Sequence, residues 1–321
     1  MEEADVLMES VPTFPIQFQK RFQALLGEEY DQFITCLSQP LTSFVRINTL
    51  KVNLQRGFDQ LKALDIAPIS LPWFAAGFRV TGNLEQLPFT REYALGYYYI
   101  QEGGSMIPPI TLDPQSSHTI LDLCAAPGSK TTQLAQIMRN QGVIIANDRS
   151  FRRLTSLGHN IQLCGVINTF LLCTDGRHLA TQFPLKYDRV LVDAPCTASG
   201  HLRSKPPQLL SPNLKRIRGI QAVQKGLLTS GFKLLKPNGL LVYATCSLHP
   251  EENEVIVNHL LSKFNDAKIE RPVLIGLKSH SGLTHWEDLE FNDVMHKCLR
   301  VYPHDNDTDG FFIALIRRIT S

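Results

Sequence analysis

The sequence lacks long apolar runs and the marks of an exported protein. None of its apolar stretches approaches the ~20 residues that a bilayer-spanning helix needs. The N-terminal stretch MEEADVLMES holds four acidic residues and no basic one, whereas a secretory signal begins with positive charge. The seven cysteines are an odd number and show no paired spacing. We therefore expect free thiols, a cytoplasmic protein and no membrane association.

One long stretch lacks acidic residues altogether. The net charge of the chain is only +2, yet no Asp or Glu stands between Asp193 and Glu251. A solvated loop and helix face would explain such a stretch, but so would a bound polyanion, and we favour nucleic acid because phosphate neutralisation dominates its binding. The basic residues of this stretch are Arg203, Lys205, Lys215, Arg216, Arg218, Lys225, Lys233 and Lys236.

The chain of 321 residues has room for one large domain and a smaller one. Residues 1–105 mix both kinds of pattern and predict a small α+β domain. The stretch FPIQFQKRFQALLGEEYDQFITCLSQP has helical apolar spacing up to Pro40, as does LQRGFDQLKAL, whereas SFVRINTLKV and WFAAGFRVTG read as extended. The segment REYALGYYYIQEGGSMIPP is predicted to form the join.

Residues 106–321 alternate short apolar runs with amphipathic segments, which predicts βαβ units and a Rossmann-like parallel sheet. The runs are TILDLCA, VIIANDR, TFLLCTD, YDRVLVDAP and GLLVYATC. The amphipathic segments are SKTTQLAQIMRN, SFRRLTSLGHNIQLCG, RIRGIQAVQKGLLTSGFKLLK and PEENEVIVNHLLSKF. The final run, DGFFIALIRR, is predicted as a further strand that closes the edge of the sheet.

Polar and small residues follow the predicted strands, where a sheet of this kind binds its ligands. In DLCAAPGSKTT the small residues Ala125, Ala126 and Gly128 keep side chains out of the turn. One acid at a strand end would be routine turn chemistry, but three beside a glycine turn indicate a cofactor that contains a nucleoside. The sequence lacks the G-x-G-x-x-G that admits a nicotinamide dinucleotide, so S-adenosylmethionine fits better than NAD. The three acids are Asp148, Asp175 and Asp193.

These motifs together resemble the Sun-type RNA (cytosine-5) methyltransferases. The matching stretches are LDLCAAPGSKTT, DAPC, YATCSLHPEENE, DGFFIALIRR, RINTLK and YYYIQEGGSM, so the resemblance covers nearly the whole chain. It implies an α/β fold, with a Rossmann-like S-adenosylmethionine-dependent methyltransferase domain (106–321) and a small N-terminal α+β domain (1–105) that binds RNA. The N-terminal half, with PWFAAGF, is most similar to the bacterial branch that methylates small-subunit ribosomal RNA, but a C-terminal extension of that branch is absent here.

The resemblance also implies a role for each residue of the motifs. Asp148 would hold the ribose hydroxyls, Asp175 would face the adenine, and Asp193 would lie between the cofactor and the target base. One departure is local, since Thr197 and Ala198 stand where the family commonly has Ser-Gly. The methionine and ribose side of the cofactor would be lined by Cys124, Ala125, Ala126, Pro127, Gly128, Ser129 and Lys130.

Two cysteines end similar apolar runs, in LVDAPCTASG and LVYATCSLHP. Methylation of cytosine carbon 5 needs a nucleophile that adds to carbon 6, a base that removes the carbon 5 proton, and a group that stabilises the ring. Either cysteine could attack on this chemistry alone. A helix beginning at Pro250 would favour a thiolate at Cys246, although Glu251 and Glu252 would oppose the effect.

The resemblance decides between the two thiols. It implies Cys246 as the nucleophile, Cys196 as the base that allows release, and Asp193 and Lys130 as contacts to the target base. Lys130 could instead face solvent at a helix start.

Other functions stay open at this point. A zinc site from Cys196, His201, Cys246 and His249 is conceivable, but no C-x-x-C spacing supports it, and we expect no metal. Cys36, Cys164 and Cys298 belong to no motif. We expect a monomer that acts on ribosomal RNA, with transfer RNA as the alternative substrate. A non-catalytic RNA-binding or assembly factor is the rival from another class.

Overall fold

Two β-sheets organise the chain, a four-stranded one in the N-terminal part and a nine-stranded one in the remainder. A computed structural model describes residues 14–203 and 214–320. The helices of these residues are α1 (Ile16–Leu26), α2 (Tyr30–Leu37), α3 (Leu54–Ala63), α4 (Arg91–Ala94), α5 (Ile107–Thr111), α6 (Ser129–Ile137), α7 (Phe151–Cys164), α8 (Leu179–Gln182), α9 (Leu214–Lys233), α10 (Glu254–Leu261) and α11 (Pro303–Asn306).

The strands follow the same chain order. They are β1 (Ser43–Ile47), β2 (Ile66–Leu71), β3 (Phe74–Gly82), β4 (Tyr98–Ile100), β5 (Thr119–Asp122), β6 (Val143–Asn147), β7 (Thr169–Leu172), β8 (Tyr187–Asp193), β9 (Leu235–Thr245), β10 (Ala267–Glu270), β11 (His280–Ser281), β12 (His285–Trp286), β13 (Leu289–Glu290), β14 (Leu299–Val301) and β15 (Phe311–Arg318). Of these, β12 and β13 form a separate two-stranded ribbon.

The N-terminal sheet is antiparallel in the order β2–β3–β1–β4, with α3 packed on it. The side chain of Asn53 caps α3 by accepting a hydrogen bond from the Arg56 backbone N–H. The predicted join contributes β4 to this sheet, which the sequence analysis missed. A buried arginine of β1 ties the sheet to the rest of the chain: Arg46 Nε donates to Gln101 Oε1 at 2.8 Å and Nη2 to Thr132 Oγ1 of α6 at 2.8 Å.

Helices α1 and α2 form an aromatic hairpin that does not belong to the core of the four-stranded sheet. Phe18, Phe22 and Phe33 are buried, with ring centroids 4.4 Å apart for the first pair and 5.1 Å for the second. They pack in one apolar cluster with Leu202, Leu248 and Tyr302. The hairpin therefore supports the loops that follow β8 and β9.

The large sheet has the order β11–β14–β15–β9–β8–β5–β6–β7, with β10 also paired to β15. Strands β7, β6, β5, β8 and β9 are parallel, as the βαβ pattern predicted. The chain runs outward from β5 to β7 and then returns to place β8 on the other side of β5. This reversal opens a crevice at the carboxyl ends of the strands, the usual ligand site of such a sheet.

The last strand corrects one sequence expectation. Strand β15 does not close the edge of the sheet, because it pairs antiparallel with β9 on one side and with β14 and β10 on the other. These two outer strands are short and were not predicted. No helix within the described residues combines the length and the apolar character needed to cross a bilayer.

Candidate active site

A cavity of about 780 Å³ lies at the carboxyl ends of the parallel strands. It is lined mainly by the loops after β5, β6, β8 and β9, and we call it the strand-end cavity. Most residues proposed from the sequence line it: Cys124, Ala126, Pro127, Ser129, Lys130, Asp148, Asp175, Asp193, Cys196 and Cys246. With Asp175 after β7, the structure thus brings together side chains that follow five separate strands.

Ala125 and Gly128 shape the first loop instead of lining the cavity. The Ala125 backbone N–H donates to the carbonyl of Asn147 at 2.8 Å, which fastens the loop to the end of β6. Gly128 has φ +113°, and a Cβ there would lie 2.7 Å from Leu157 Cδ1 of α7. Glycine is favoured at this turn because other residues rarely adopt this backbone angle, and a Cβ would also displace the Leu157 side chain.

Two of the three strand-end acids are held by arginines. Asp148 is buried, accepts from the Ser150 N–H at 2.9 Å, and pairs with Arg153 at 3.0 Å. Asp175 accepts from Arg177 Nε at 2.9 Å, and this hydrogen bond lowers the pKa of the Asp175 carboxyl to about 2. Both carboxylates are fixed in place at the cavity wall.

The third acid, Asp193, accepts a hydrogen bond from Lys130 Nζ at 2.7 Å. The sequence left open that Lys130 faces solvent. It does not, because its side chain is buried and its Nζ lies 5.5 Å from the ring centroid of Phe311. Burial lowers the pKa of the Lys130 ammonium, but the neighbouring Asp193 outweighs it, so the pKa is raised. The result is a fixed ion pair inside the cavity.

The two cysteines of the similar runs meet, with Cys196 Sγ and Cys246 Sγ 3.2 Å apart. A hydrogen bond from Cys196 lowers the pKa of the Cys246 thiol, and His201 adds to this against the effect of burial. The same hydrogen bond, burial and the nearby Cys246 charge raise the pKa of the Cys196 thiol well above its usual range. One sulfur therefore favours the thiolate, and the other keeps its proton.

Three loops converge directly beside the thiols. The Gly200 N–H donates to the carbonyl of Cys246 at 2.8 Å, and the Gly310 N–H donates to the carbonyl of Gly200 at 3.0 Å. A Cβ at Gly200 would lie 2.3 Å from the Gly310 carbonyl oxygen, so only glycine permits this approach. The contact lies next to His201, which lines the cavity, and next to Asp309, which hydrogen-bonds His201.

A buried carboxylate joins the two cysteine loops. Glu252 accepts from the Thr197 N–H at 2.9 Å, from the Thr197 hydroxyl and from Ser247 Oγ at 2.5 Å. This role was not predicted. Helical structure begins at Pro250 as expected, but Pro250–Glu252 form a single 3-10 turn and α10 begins only at Glu254.

The zinc alternative is not supported by the structure. His249 does not line the cavity, and its Nδ1 accepts a hydrogen bond from Arg21 Nε of α1 at 3.1 Å. Within the ranges 14–203 and 214–320, the convergent set of histidine and acidic ligand atoms lies elsewhere, and none of its residues lines the strand-end cavity. That set is Glu29, His280, His304 and Asp305.

The basic stretch divides into residues with different surroundings. Arg203 is not available to a phosphate, because its side chain is 1% exposed and its Nη1 donates to Asp307 Oδ1 at 2.7 Å. Arg216 and Arg218 on α9 are exposed. Lys205 and the side chain of Lys215 lie outside the described residues.

Sequence reasoning missed further polar residues of this region. Glu102 accepts from the Asp309 N–H at 2.7 Å and from the Ser105 N–H at 2.8 Å. Asp309 in turn hydrogen-bonds His201 Nδ1. Glu102 and Asp309 stand in the quoted motifs YYYIQEGGSM and DGFFIALIRR, and His201 follows DAPCTASG, so the signal was present without an assigned role.

Comparison with known proteins identifies the family. A family model described as 16S rRNA methyltransferase RsmB/F matches residues 109–317. A second model, for the N-terminal domain of 16S rRNA methyltransferase RsmF, matches residues 14–103.

Curated relatives match along most of the chain. A tRNA (cytosine(49)-C(5))-methyltransferase of Pyrococcus abyssi is 40% identical over 297 residues, which cover 91% of this chain and 93% of the relative. The ribosomal RNA small subunit methyltransferase F of Vibrio atlanticus is 35% identical over 313 residues. That match covers 96% of this chain but 64% of the Vibrio enzyme.

Solved structures agree with the curated relatives. A crystal structure of a methyltransferase homolog from Pyrococcus horikoshii has a TM-score of 0.84 at 35% identity and covers 94% of this chain and 95% of its own. The structure of NSun6 from the same organism with SFG, an S-adenosylmethionine analogue, has a TM-score of 0.81 at 26% identity, with 96% and 99% covered. The fold and the family predicted from the motifs are confirmed: the chain belongs to the RsmB/F (Sun) family of RNA cytosine-5 methyltransferases.

Proposed function

We propose that the protein methylates carbon 5 of a cytidine in structured RNA through a covalent bond between Cys246 and carbon 6, with S-adenosylmethionine as the methyl donor. The observation that carries the proposal is the 3.2 Å approach of two thiols of opposite proton affinity, beside an acid–lysine pair in one cavity. Family membership alone would not assign those roles to these side chains.

The donor set of the cavity fits S-adenosylmethionine. In this proposal Asp148 holds the ribose hydroxyls, Asp175 faces the adenine, and the loop from Cys124 to Lys130 lines the methionine end. Negative charge at Asp193 and Cys246 suits a sulfonium, and a turn with one glycine suits a ligand without a pyrophosphate. When bound, this cofactor supplies an electrophilic methyl group.

The protein's own groups perform the remaining steps. Cys246 Sγ adds to carbon 6 of the cytosine, and the electron pair of the ring double bond makes carbon 5 nucleophilic. Bond formation removes the negative charge of Cys246, and with it one cause of the raised pKa of Cys196. Cys196, its own proton lost to solvent, then takes the proton of carbon 5. The carbon 6–sulfur bond breaks, the ring double bond returns, and Cys246 leaves as the thiolate.

Asp193 and Lys130 hold the target ring during this sequence. Their ion pair is only partly exposed, with 30% and 10% of the side chains accessible. A carboxylate can accept from the exocyclic amine of cytosine, and an ammonium can stabilise the negative charge that develops on the ring. Such groups act strongly in a water-poor site because the local dielectric constant is low.

Small-subunit ribosomal RNA is the proposed substrate, on the strength of the RsmF-type N-terminal match over residues 14–103. Transfer RNA is the second candidate, because the Pyrococcus abyssi relative, named for tRNA, matches over 93% of its length. We propose that the N-terminal sheet and exposed arginines of α9 contact the RNA.

Methyl transfer to defined RNAs tests the proposal. Methyl-labelled S-adenosylmethionine is incubated with small ribosomal subunits, with their naked RNA and with transfer RNA, and bisulfite sequencing then locates 5-methylcytidine. We expect label at one cytidine of one substrate and none with Cys246→Ala. Label at another atom, or no label in any of the three substrates with folded protein, would overturn the proposed function.

A further inference from the structure

His201 is a titratable group that shares the strand-end cavity with the two thiols and that the proposed mechanism does not use. It follows the Cys196 loop directly and lines the strand-end cavity. Its ring packs edge-on against Phe311, with centroids 6.5 Å apart. The position is set by backbone contacts of Gly200 on one side with Cys246 and on the other with Gly310.

The imidazole of His201 has a partner at each end. Nδ1 hydrogen-bonds the Asp309 carboxylate, whose side chain is 3% exposed. Cys246 lines the same cavity, and its thiol raises the pKa of the imidazole. Because Asp309 occupies Nδ1, Nε2 is the nitrogen left for that thiol. A buried carboxylate at Nδ1 keeps the proton there and fixes the ring orientation, the arrangement by which acids orient catalytic histidines in other enzymes.

From this geometry, and resting on the proposed function, we propose that His201 is the group that ionises Cys246, and that Asp309 is its positioning residue. The Cys246 S–H proton passes to His201 Nε2, which leaves a thiolate beside an imidazolium. No electron is gained or lost, and no co-reactant is needed. The imidazolium keeps this proton while Cys246 is bonded to carbon 6, and it receives the thiolate again when the carbon–sulfur bond breaks.

The surroundings of the pair support this direction of proton transfer. Burial lowers the pKa of His201, but hydrogen bonds with Asp309 and Cys246 outweigh it and raise the pKa to about 10. Cys196 donates toward the same sulfur, whereas Asp193 opposes its ionisation and is itself paired with Lys130. The remaining acids near the pair are turned to other partners, Glu252 to the Thr197 hydroxyl and Glu102 to the Asp309 N–H.

The reactivity of the Cys246 thiol against pH tests the proposal without RNA or cofactor. Iodoacetamide alkylates thiolates, and the tryptic peptide between Lys233 and Lys263 contains Cys246 as its single cysteine, so mass spectrometry follows this site alone. The variants are His201→Gln and Asp309→Asn. His285→Gln, an exposed histidine of β12, is the matched control.

The alkylation midpoint is the pH at which the alkylation rate of Cys246 is half its maximum. We expect it to rise by at least ~1 pH unit in His201→Gln, which lowers the rate about tenfold at pH values well below both midpoints. Asp309→Asn should shift it in the same direction by less, and His285→Gln should not shift it. Thermal melts check that each variant is folded. Asp309→Asn keeps the size of its side chain and decides the matter if His201→Gln does not fold.

An unchanged or lower midpoint in the folded variants would overturn the role of His201. This outcome is distinct from failure of the proposed function. If the enzyme methylates RNA but the variants leave the alkylation midpoint of Cys246 unchanged, only the role of His201 is disproved. Conversely, if the variants raise the alkylation midpoint of Cys246 but the protein methylates none of the tested RNAs, only the proposed function is disproved. In an active enzyme, methylation by His201→Gln should recover as the pH rises.

Discussion

The loops after β8 and β9 are similar in sequence and opposite in chemistry. Each follows a buried strand with small residues and a cysteine, and the two sulfur atoms lie 3.2 Å apart. Cys196 faces the negative charges of Cys246 and Glu252, whereas Cys246 faces His201. Two identical side chains in one cavity thus differ because of neighbours that come from other parts of the chain.

The residues that follow the two cysteines differ as well. The Cys196 loop is followed by a stretch without acidic residues. The Cys246 loop is followed by acidic residues that form ion pairs within the protein. Glu251 pairs with Arg21 of the aromatic hairpin, and Glu254 accepts from Arg300 Nε at 2.7 Å. The first loop therefore leads to the surface that we propose for RNA, and the second is fastened into the core.

Removing each sulfur in turn should have the largest effect. Both Cys246→Ala and Cys196→Ala should lose methylation by more than about a thousandfold, since covalent catalysis needs attack and release. Only Cys196→Ala should accumulate a denaturant-resistant protein–RNA adduct with S-adenosylmethionine, because attack and methyl transfer proceed and elimination stalls. A denaturing gel with labelled RNA measures this.

Cys173→Ala, an exposed cysteine outside the cavity, is the control for the loss of a thiol. An adduct in Cys246→Ala and none in Cys196→Ala would reverse the two roles. Full methylation by both variants would mean that neither thiol takes part.

Neutralising Asp193 should separate thiol ionisation from contact with the base. Asp193→Asn should reduce methylation about a hundredfold, within the usual range for a positioned acid–base group. The Cys246 alkylation midpoint should fall at the same time, because the Asp193 charge opposes the thiolate. Asp188→Asn is the matched control, since Asp188 lies on the same strand and pairs with Lys236 at 2.9 Å outside the cavity. Equal loss of activity in both variants would contradict the assignment.

Replacing Glu252 should loosen the contact between the two loops. Glu252→Gln cannot accept all the hydrogen bonds from Thr197 and Ser247, and buried polar groups left without partners cost about 1–3 kcal/mol of stability. The alkylation midpoint of Cys196 should also fall, because a negative charge that raises its pKa is gone. Urea unfolding and peptide-resolved alkylation measure the two effects. A midpoint that stays in place would show that Glu252 acts on the loop alone.

The smallest effect should come from the arginines after the Cys196 loop. Arg218→Ala should weaken RNA binding a few-fold and reduce the slope of log affinity against log salt by about 1, as expected for one phosphate contact. Arg203→Ala should leave that slope unchanged and lower the melting temperature, because Arg203 pairs with Asp307. Filter binding at several salt concentrations measures the slope for both variants. A slope reduced by Arg203→Ala and unchanged by Arg218→Ala would place the RNA on the Arg203 side.

Periodicity was enough to predict the five parallel strands, because each is a short apolar run between amphipathic segments, although β7 is largely exposed. It missed β11, which is two residues long, and β14, which is three, since so few residues carry no periodic signal. The motifs led to the cysteines, Asp193 and Lys130. They could not predict the hydrogen bonds of Glu252 with Thr197 and of Asp309 with His201, because the partners lie 55 and 108 residues apart in the chain.

The aromatic hairpin changes how the chain should be divided for engineering. The chain enters the methyltransferase part at α1 and α2, leaves it to build the four-stranded sheet, and returns at α5. In topological terms the sheet is an insertion, whereas its position in the sequence suggests a terminal appendage. A truncated protein that begins at residue 106 would expose Leu248 and Tyr302, the apolar residues on which the hairpin packs. Exchange of the four-stranded sheet between relatives is better made at two junctions, after α2 and before α5. The hairpin then keeps its packing against the loop that contains Cys246.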